Sequence, residues 1–389
     1  VTGTNGKTSV SHYLAQALAA EIPCAVIGTI GIGFPGELAP ATHTTPDPVT
    51  LQETLAGLRE RGAGAVAMEV SSHALEQGRA SAVRFSHALF TNLSRDHLDY
   101  HGDMAAYAAA KRELFRMPGL GWAVVNLDDA QGEIILRDLD SSVQAAGYSL
   151  APDSEIPARC GLWARACAVT PGPAGLRIEI VSSAGEGVVE AGLIGRFNVA
   201  NLLCVLLVLL SRGRDLEGAL AILSRVRGVP GRMECFGGGQ RPLVVVDYAH
   251  TPDALQQALA SLREHVAGRL LCVFGCGGER DQGKRPLMGA AAERGSDAVV
   301  VTDDNPRGED GDVIVSQILS GMTRPEAAQV ERSRALAIRR AIATAGRNDV
   351  VLVAGKGHET TQDMGDLKVH FSDRAQVVQA LGELEGRTS

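Results

Sequence analysis

The feature that most constrains this chain is an alternation. Short runs of Val, Ile, Leu and Ala stop at Gly or a polar residue, and longer segments with helical spacing of apolar positions separate them. A strand buried on both faces reads as an unbroken apolar run of about four to eight residues, whereas an amphipathic helix repeats its apolar positions at about every third or fourth residue. Runs of the first kind predict strands over 65–70, 88–93, 122–126, 243–246, 270–274, 298–302 and 350–354. Patterns of the second kind predict helices over 9–20, 49–61, 104–115, 199–211, 253–265 and 334–345. Parallel neighbours need a crossover connection, so this order implies βαβ units around a parallel sheet. The segment 149–189 departs from it: Gly, Pro and short alternating stretches such as 176–181 predict an antiparallel hairpin or meander. A Gly/Pro cluster at Gly228-Val229-Pro230-Gly231 separates two α/β halves, and no internal repeat or low-complexity tract interrupts either.

Composition excludes several classes of function. A chain of 389 residues removes about three quarters of its unfolded surface on folding and needs neither disulfides nor metals for stability. With 37 Lys and Arg against 45 Asp and Glu, the net charge of −8 offers no global basic field for nucleic acid or an anionic membrane. The longest near-apolar run, 199–210, falls short of the roughly 20 residues that span a bilayer and predicts a buried helix instead. The seven cysteines are odd in number and scattered through apolar segments, which predicts reduced thiols in a cytosolic protein. Cys272 and Cys276 have no neighbouring His or Cys set, so no zinc site is expected.

The first chemical signal is a phosphate loop, Gly3-Thr4-Asn5-Gly6-Lys7-Thr8, followed by Ser9. Its glycines let backbone N–H groups approach phosphates, Lys7 neutralises their charge, and the Thr8 hydroxyl suits Mg²⁺ beside a helix N-terminus. The general pattern wants its first glycine where Val1 stands, with Gly3 nearer instead. Such a loop normally follows a buried strand, so an opening at Val1 reads as a fragment. Its own phosphate loop is then expected to lack support, to bind ATP poorly and to give no turnover unaided, with aggregation, while the half from about Gly228 folds as a unit.

The compact Gly-Thr-Asn-Gly-Lys-Thr form resembles the Mur ligases, ATP-dependent amide-forming enzymes of cell-wall precursor synthesis. Further motifs stand in the order expected of the family's diaminopimelate-adding branch: His43-Thr44-Thr45-Pro46-Asp47, Met68-Glu69-Val70-Ser71-Ser72-His73, Asn92 to Asp99, Tyr107 to Lys111, Gly195-Arg196-Phe197-Asn198, Gly231-Arg232-Met233-Glu234 and Asp247-Tyr248-Ala249-His250-Thr251-Pro252. The resemblance covers essentially the whole chain. It lacks only the family's additional N-terminal domain, which holds the uridine nucleotide. It implies an α/β architecture in which a parallel-sheet P-loop ATPase domain over 1–228 precedes a Rossmann-like C-terminal α/β domain over 229–389 that binds an amino acid.

The resemblance also assigns roles. Glu69 ends a predicted buried strand, where α/β sheets place ligands, and its carboxylate suits Mg²⁺, although it could also cap the next helix. His97, which alone reads as a solvated loop histidine, is implied to hold a second Mg²⁺. Lys111 alone reads as a solvated helix face. The resemblance implies instead an N6-carboxylysine, a carbamate made when the neutral amine adds CO₂, which serves as an anionic metal ligand. Lys7, Glu69, His97 and Lys111 are thus the expected catalytic set, and Thr8, Glu69, His97 and Lys111 the expected metal set. ATP is expected on Gly3 to Ser9 with Asn198, Arg232 and Asp247. Asn198 and Asn201 flank the start of the apolar helix, where one could cap it and the other meet the base; His250 reads equally as a stacking group or a packed turn residue. Thr44, Thr45, Ser71, Gln77 and Arg79 are the implied contacts to UDP-N-acetylmuramoyl-L-alanyl-D-glutamate, although Ser71 and Ser72 alone read as helix caps and Arg79 as surface charge.

In the second half, three predicted strands end in polar loops: Cys276-Gly277-Gly278-Glu279-Arg280-Asp281, Asp304-Asn305-Pro306-Arg307 and Gly355-Lys356-Gly357-His358-Glu359. Strand C-termini of one sheet converge on a crevice. Guanidinium groups grip carboxylates bidentately and Glu359 can pair with an ammonium, so Arg280, Arg307 and Glu359 suit a zwitterionic ligand end. A plain turn explains the backbone of 303–307 but not Arg307. The resemblance names the ligand as meso-diaminopimelate, held by Arg280, Asp304, Asn305, Pro306, Arg307, Gly355 and Glu359. The implied activity is ADP-forming ligation through an acyl phosphate by a cytosolic monomer that contacts neither membrane nor nucleic acid. The rivals are a lysine-adding or folylpolyglutamate synthetase-like ligase, which should lack the Asp304 to Arg307 set with Glu359, and a catalytically silent ligase-derived binding protein.

Overall fold

A computed structural model describes residues 1–19, 21–172 and 175–388. Ala20, the expected end of the first helix, Pro173 and Ala174 inside the expected meander, and Ser389 lie outside the described residues. The chain forms two compact units, Val1–Arg227 and Gly228–Ser389.

The first unit carries two sheets. In the smaller, the strands Glu37–Ala39, Ile32–Phe34, Cys24–Ile27 and Ala65–Met68 stand in that spatial order, and the last two pair in parallel. In the larger, His87–Phe90, Trp122–Asn126, Gln144–Ser149 and Cys160–Gly172 run parallel, then Gly175–Ser182 and Gly185–Ala191 continue antiparallel. The expected meander therefore extends the parallel sheet. Val1 and Thr2 lie beside both sheets: the Val70 amide donates to the Val1 carbonyl (2.8 Å), the Thr2 amide to Leu89 (2.8 Å) and the Thr91 amide to Thr2 (3.1 Å). The phosphate loop consequently starts where the strands Ala65–Met68 and His87–Phe90 end, at the edge where Glu69 and Thr91 emerge.

The helix Arg196–Ser211 is buried continuously from Leu202 to Leu210. It packs on the helix Lys7–Leu18 on one side and on the strands Trp122–Asn126, Gln144–Ser149 and Cys160–Gly172 on the other. Cover on two sides explains why it is apolar all round rather than striped. A second core joins the two sheets through Ile27, Met68, Phe90 and Val125, closed by Leu51 and Leu114.

The helix Met104–Arg112 brings Lys111 to the site. It is shorter than the expected 104–115 because its last turn tightens into a 3₁₀ segment, Glu113–Arg116. Its start is fixed by Asp103, whose carboxylate accepts the Ala106 amide at 2.8 Å. Removing a side-chain cap of this kind costs about 1 kcal/mol. Asp103→Ala is therefore expected to lower stability by that amount, which urea denaturation reads as a lower midpoint with an unchanged m-value.

In the second unit the strands Glu234–Gly237, Leu243–Asp247, Val350–Ala354, Leu270–Phe274, Ala298–Val301 and Gln329–Val330 form one Rossmann-like sheet. It is parallel except for its first pair. Val350–Ala354, late in sequence, inserts between the two earliest parallel strands, so the order reverses there and opens the crevice where α/β sheets bind ligands. Arg334 and Asp373, both fully buried, form an ion pair at 2.7 Å that ties the helices Arg334–Thr344 and Asp373–Thr388 together.

Candidate active site

At Gly3 (φ 148°) an added Cβ would collide with the Thr91 hydroxyl, so only glycine lets the loop lie this close to the end of the strand His87–Phe90. The Thr91 hydroxyl in turn donates to the Asn5 carbonyl at 2.6 Å. Lys7 folds back over the loop, its Nζ donating to the carbonyls of Gly3 (2.8 Å) and Thr4 (2.9 Å). Thr8 Oγ1 donates to Glu69 Oε2 at 3.0 Å. Glu69 is fully buried; its carboxylate also accepts the Thr29 amide (2.9 Å) and hydroxyl (3.2 Å). The role of Glu69 as a helix cap does not hold, since Ser71 caps the helix Ser72–Glu76 through the Ala74 amide at 3.2 Å. Thr29 was missed because the four-residue run Cys24–Ile27, directly after Pro23, was not read as a strand; the rule that strand ends carry ligands would have found it.

Lys111 is buried rather than a solvated face. Its Nζ donates to the Gly3 carbonyl at 2.8 Å and lies 4.4 Å from the Tyr107 ring centroid. Burial, then the charge of Lys7, holds this amine well below the usual lysine range, against the opposing pull of Asp96. The Tyr107 hydroxyl reaches Thr4 Oγ1 at 3.1 Å, which joins the Lys111 helix to the phosphate loop a second time. His97, left-handed at φ 54°, lies 3.3 Å from the Asp96 carboxylate, and burial lowers its imidazole despite that neighbour.

The donor set can be tested against Mg²⁺. Thr8 and Glu69 present hard oxygens side by side, and Thr29 orients the carboxylate, so this pair fits a hard cation. A neutral His97 fits a ligand role, whereas Lys111 fits one only after its amine becomes an anionic carbamate. Among the described residues no group of three or more His, Cys, Asp and Glu side chains is placed to hold a metal.

The expected dipeptide contacts come together next to Glu69. Thr45 Oγ1 donates to the Glu69 carbonyl (2.9 Å) and accepts the Ser71 amide (3.1 Å). Arg79, half-buried rather than simple surface charge, donates to the Thr45 carbonyl and to Gln77 Oε1 (2.9 and 2.8 Å). The hydroxyls of Thr44 and Thr29 are 3.0 Å apart. Ser72 does not cap; its hydroxyl meets His101 Nε2 at 2.9 Å. Neither helix asparagine caps through its oxygen. Asn198 Nδ2 donates to Ile194 (2.8 Å), while Asn201, bonded to Asn198 (3.0 Å), sits directly under Gly6.

In the second unit, Asp247 accepts the amides of Met233 (2.7 Å) and Ala249 (2.8 Å), and burial raises its carboxyl above the usual range. Arg232 stacks 4.2 Å from the Tyr248 ring centroid, with the His250 ring 4.6 Å from that of Tyr248. The loops carrying Arg280, Asp304 to Arg307 and Gly355 to Glu359 leave three neighbouring strands at the same edge. Gly277 packs between two of the expected groups: a Cβ there would stand 3.0 Å from Arg307 Nη1 and 3.7 Å from Arg280 Cγ. Lys356, fully buried, donates to Asn305 Oδ1 (2.9 Å) and Glu359 Oε2 (2.8 Å), and Asn305 Nδ2 also donates to Glu359 (2.9 Å). Burial alone would raise Glu359, but Lys356 and Asn305 outweigh it and keep the carboxylate ionised. Lys356 was not singled out from sequence, where a lysine between two glycines reads as exposed loop charge.

Comparison with known proteins gives matches to a model of the Mur ligase middle domain over residues 1–209 and to one of the Mur ligase glutamate ligase domain over 231–357. The chain is 54% identical over 388 residues to the UDP-N-acetylmuramoyl-L-alanyl-D-glutamate–2,6-diaminopimelate ligase of Alkalilimnicola ehrlichii, covering 99% of this chain and 76% of that protein. It is 51% identical to the enzyme of that name from Pseudomonas aeruginosa, with 99% and 78% covered. A solved structure of a ligase of the same name superposes with TM-score 0.68 at 39% identity, over 98% of this chain and 77% of that one. Mycobacterium tuberculosis folylpolyglutamate synthase shares the fold at TM-score 0.68 and 20% identity, over 91% and 87% of the two chains.

Proposed function

The chain belongs to the Mur ligase family, and from that premise we propose that it joins meso-diaminopimelate to UDP-N-acetylmuramoyl-L-alanyl-D-glutamate at the expense of ATP, in peptidoglycan precursor synthesis. It is an ATP-dependent, ADP-forming ligase. The observation that carries the amino-acid assignment is the Arg280 and Arg307 pair around Gly277, with a Glu359 that stays ionised on the loop of the neighbouring strand. Two guanidiniums suit a carboxylate distal to the reacting centre, and a glutamate suits an ammonium.

ATP transfers its γ-phosphoryl to the γ-carboxylate of the D-glutamyl residue. The amine of diaminopimelate then attacks the acyl phosphate, and the tetrahedral intermediate expels phosphate. No side-chain nucleophile is needed; the protein positions the groups and neutralises charge. Lys7, already poised over the loop, turns from the Gly3 and Thr4 carbonyls to the phosphates, which the loop amides cradle at the N-terminus of the helix Lys7–Leu18. Thr8 with Glu69, and His97 with a carbamylated Lys111, are the residues that would hold two Mg²⁺ ions, whose chemistry is to neutralise the phosphates and the transferring group. In the first unit Asn198, which accepts from the Asn201 that lies under Gly6, adds to the ATP contacts. Thr44, Thr45, Ser71, Gln77 and Arg79 bind the dipeptide end, and Arg280, Asp304 to Arg307, Gly355 and Glu359 bind diaminopimelate. None of the described helices is long and apolar enough to cross a membrane, and this reading places the reaction in the cytosol as the work of a monomer.

The test is release of ADP and phosphate. Release is expected only when both the nucleotide dipeptide and diaminopimelate are present with Mg-ATP. Release equal in the absence of diaminopimelate, or supported equally by lysine, overturns the assignment.

A further inference from the structure

Behind the amino-acid crevice lies a charged pair that contacts none of the groups assigned to substrate through its own ends. Arg285, on the helix Lys284–Gly295, is fully buried. Its Nη1 donates to Glu309 Oε2 (2.8 Å) and Gln317 Oε1 (2.6 Å), and its Nη2 to Glu309 Oε1 (2.9 Å) and the Gly277 carbonyl (3.1 Å). Glu309 also accepts the Glu279 amide. One carboxylate and one guanidinium thus hold the backbone of the 277–280 loop, which bears Arg280, against the end of the 302–309 loop, which bears Arg307.

The two loops interlock further on their crevice side. The Gly278 amide donates to the Asn305 carbonyl (2.9 Å), and Arg307 Nη1 donates to the Gly278 carbonyl (2.6 Å). A Cβ at Gly278 would collide with the Pro306 carbonyl. Glu279 and Arg307, neither of them glycine, adopt left-handed backbones at φ 54° and 51°. Such conformations persist only where their surroundings over-determine them. The Arg285–Glu309 fork holds both loops from behind, through the Gly277 carbonyl and the Glu279 amide.

We propose that Arg285 and Glu309 are positioning residues for amino-acid selection, a clamp that sets the spacing of Arg280 and Arg307 and so determines how well the ligase distinguishes an amino acid with a distal carboxylate from one without. This inference rests on the diaminopimelate reading of the crevice. It deepens that reading by placing part of the specificity in residues that never touch the substrate.

Steady-state kinetics of the ligase with E309Q, R285K and R307A separate the two ideas. In E309Q an amide NH₂ replaces one carboxylate oxygen and faces the donors of Arg285 and Glu279, loosening the fork without removing volume. Misplacing a clamp by a fraction of an ångström is expected to raise the KM for diaminopimelate about 10-fold. The KM values for ATP and the nucleotide dipeptide should stay within about twofold and kcat within about threefold, because only the amine donor is misplaced. The double variant E309Q/R307A should lose less than the product of the two single losses, since both act on the same contact. An unchanged KM for diaminopimelate in a folded E309Q, equal rises in all three KM values, or multiplicative losses would each overturn the clamp while leaving the crevice assignment standing. If R307A alone leaves diaminopimelate use unaltered, the crevice assignment fails and the clamp with it. If both E309Q and R285K fail to fold by thermal melt, the pair is structural and the proposal is wrong.

Discussion

Arg307→Ala is expected to remove most of the ligase's use of diaminopimelate, lowering kcat/KM by about 30-fold to 5000-fold. The range corresponds to the roughly 2–5 kcal/mol lost when one partner of a desolvated charge pair is truncated. Arg307 stands at the end of the 302–307 loop with its guanidinium packed over Gly277 beside Arg280, so its deletion leaves a distal carboxylate facing one arginine instead of two. Part of its guanidinium already serves the Gly278 carbonyl, and Arg307→Lys is the control that retains charge but forfeits the planar fork. Lysine, with no distal carboxylate, loses nothing by the change. The ratio of kcat/KM for diaminopimelate to that for lysine should therefore fall steeply in the alanine variant and less in the lysine variant. An unchanged ratio would remove the basis for assigning diaminopimelate.

Lys111→Ala is expected to suppress ligation by about a hundredfold to a thousandfold, the scale seen when a preorganised charge at the reacting centre is lost. Two effects are combined in that substitution, because Lys111 also donates to the Gly3 carbonyl and packs on Tyr107. Chemical rescue separates them. Bicarbonate or a short carboxylate such as formate should partly restore the alanine variant by supplying the missing anionic ligand, whereas it cannot repair a loosened loop. Lys111→Arg should stay inactive, since a guanidinium keeps its charge and forms no carbamate. Failure of every small carboxylate to rescue a folded alanine variant, or a magnesium- and nucleotide-bound structure with a free ammonium at Lys111, would refute the carbamate.

The degree to which the site was legible differs from residue to residue. The phosphate loop and Glu69 follow from local rules, because a glycine-rich turn and the end of a buried strand are sequence-local features with fixed consequences. Lys111 did not follow from them. On a helix its neighbours Arg112 and Glu113 suggest solvent, and only the packing of that helix against the loop through Tyr107 makes it buried. Asn198 and Asn201 could not be told apart until the helix Arg196–Ser211 was seen to run beneath Gly6. Arg285 and Glu309 were passed over altogether, and Lys356 entered only as part of the Gly355 to Glu359 loop: a charged residue in a loop or at a helix start is ordinarily solvated, and nothing local signals burial or pairing with a distant loop.

The alternation of apolar runs with helical segments determined an α/β fold for this chain, and the Gly/Pro cluster near Gly228 marked where one half gives way to the other, because both signals depend on periods of a few residues. Motif order determined the family, since residues that must meet one ligand keep their chemistry wherever the fold brings them. Tertiary structure alone decided the rest. It inserted Val350–Ala354 between earlier strands, which opened the crevice at that point in the sheet. It buried Lys111 and Lys356, and it locked the Arg280 and Arg307 loops together through Arg285 and Glu309. These are pairings between residues distant in sequence, selected by the burial of whole faces against one another, and no local pattern carries the identity of the partner.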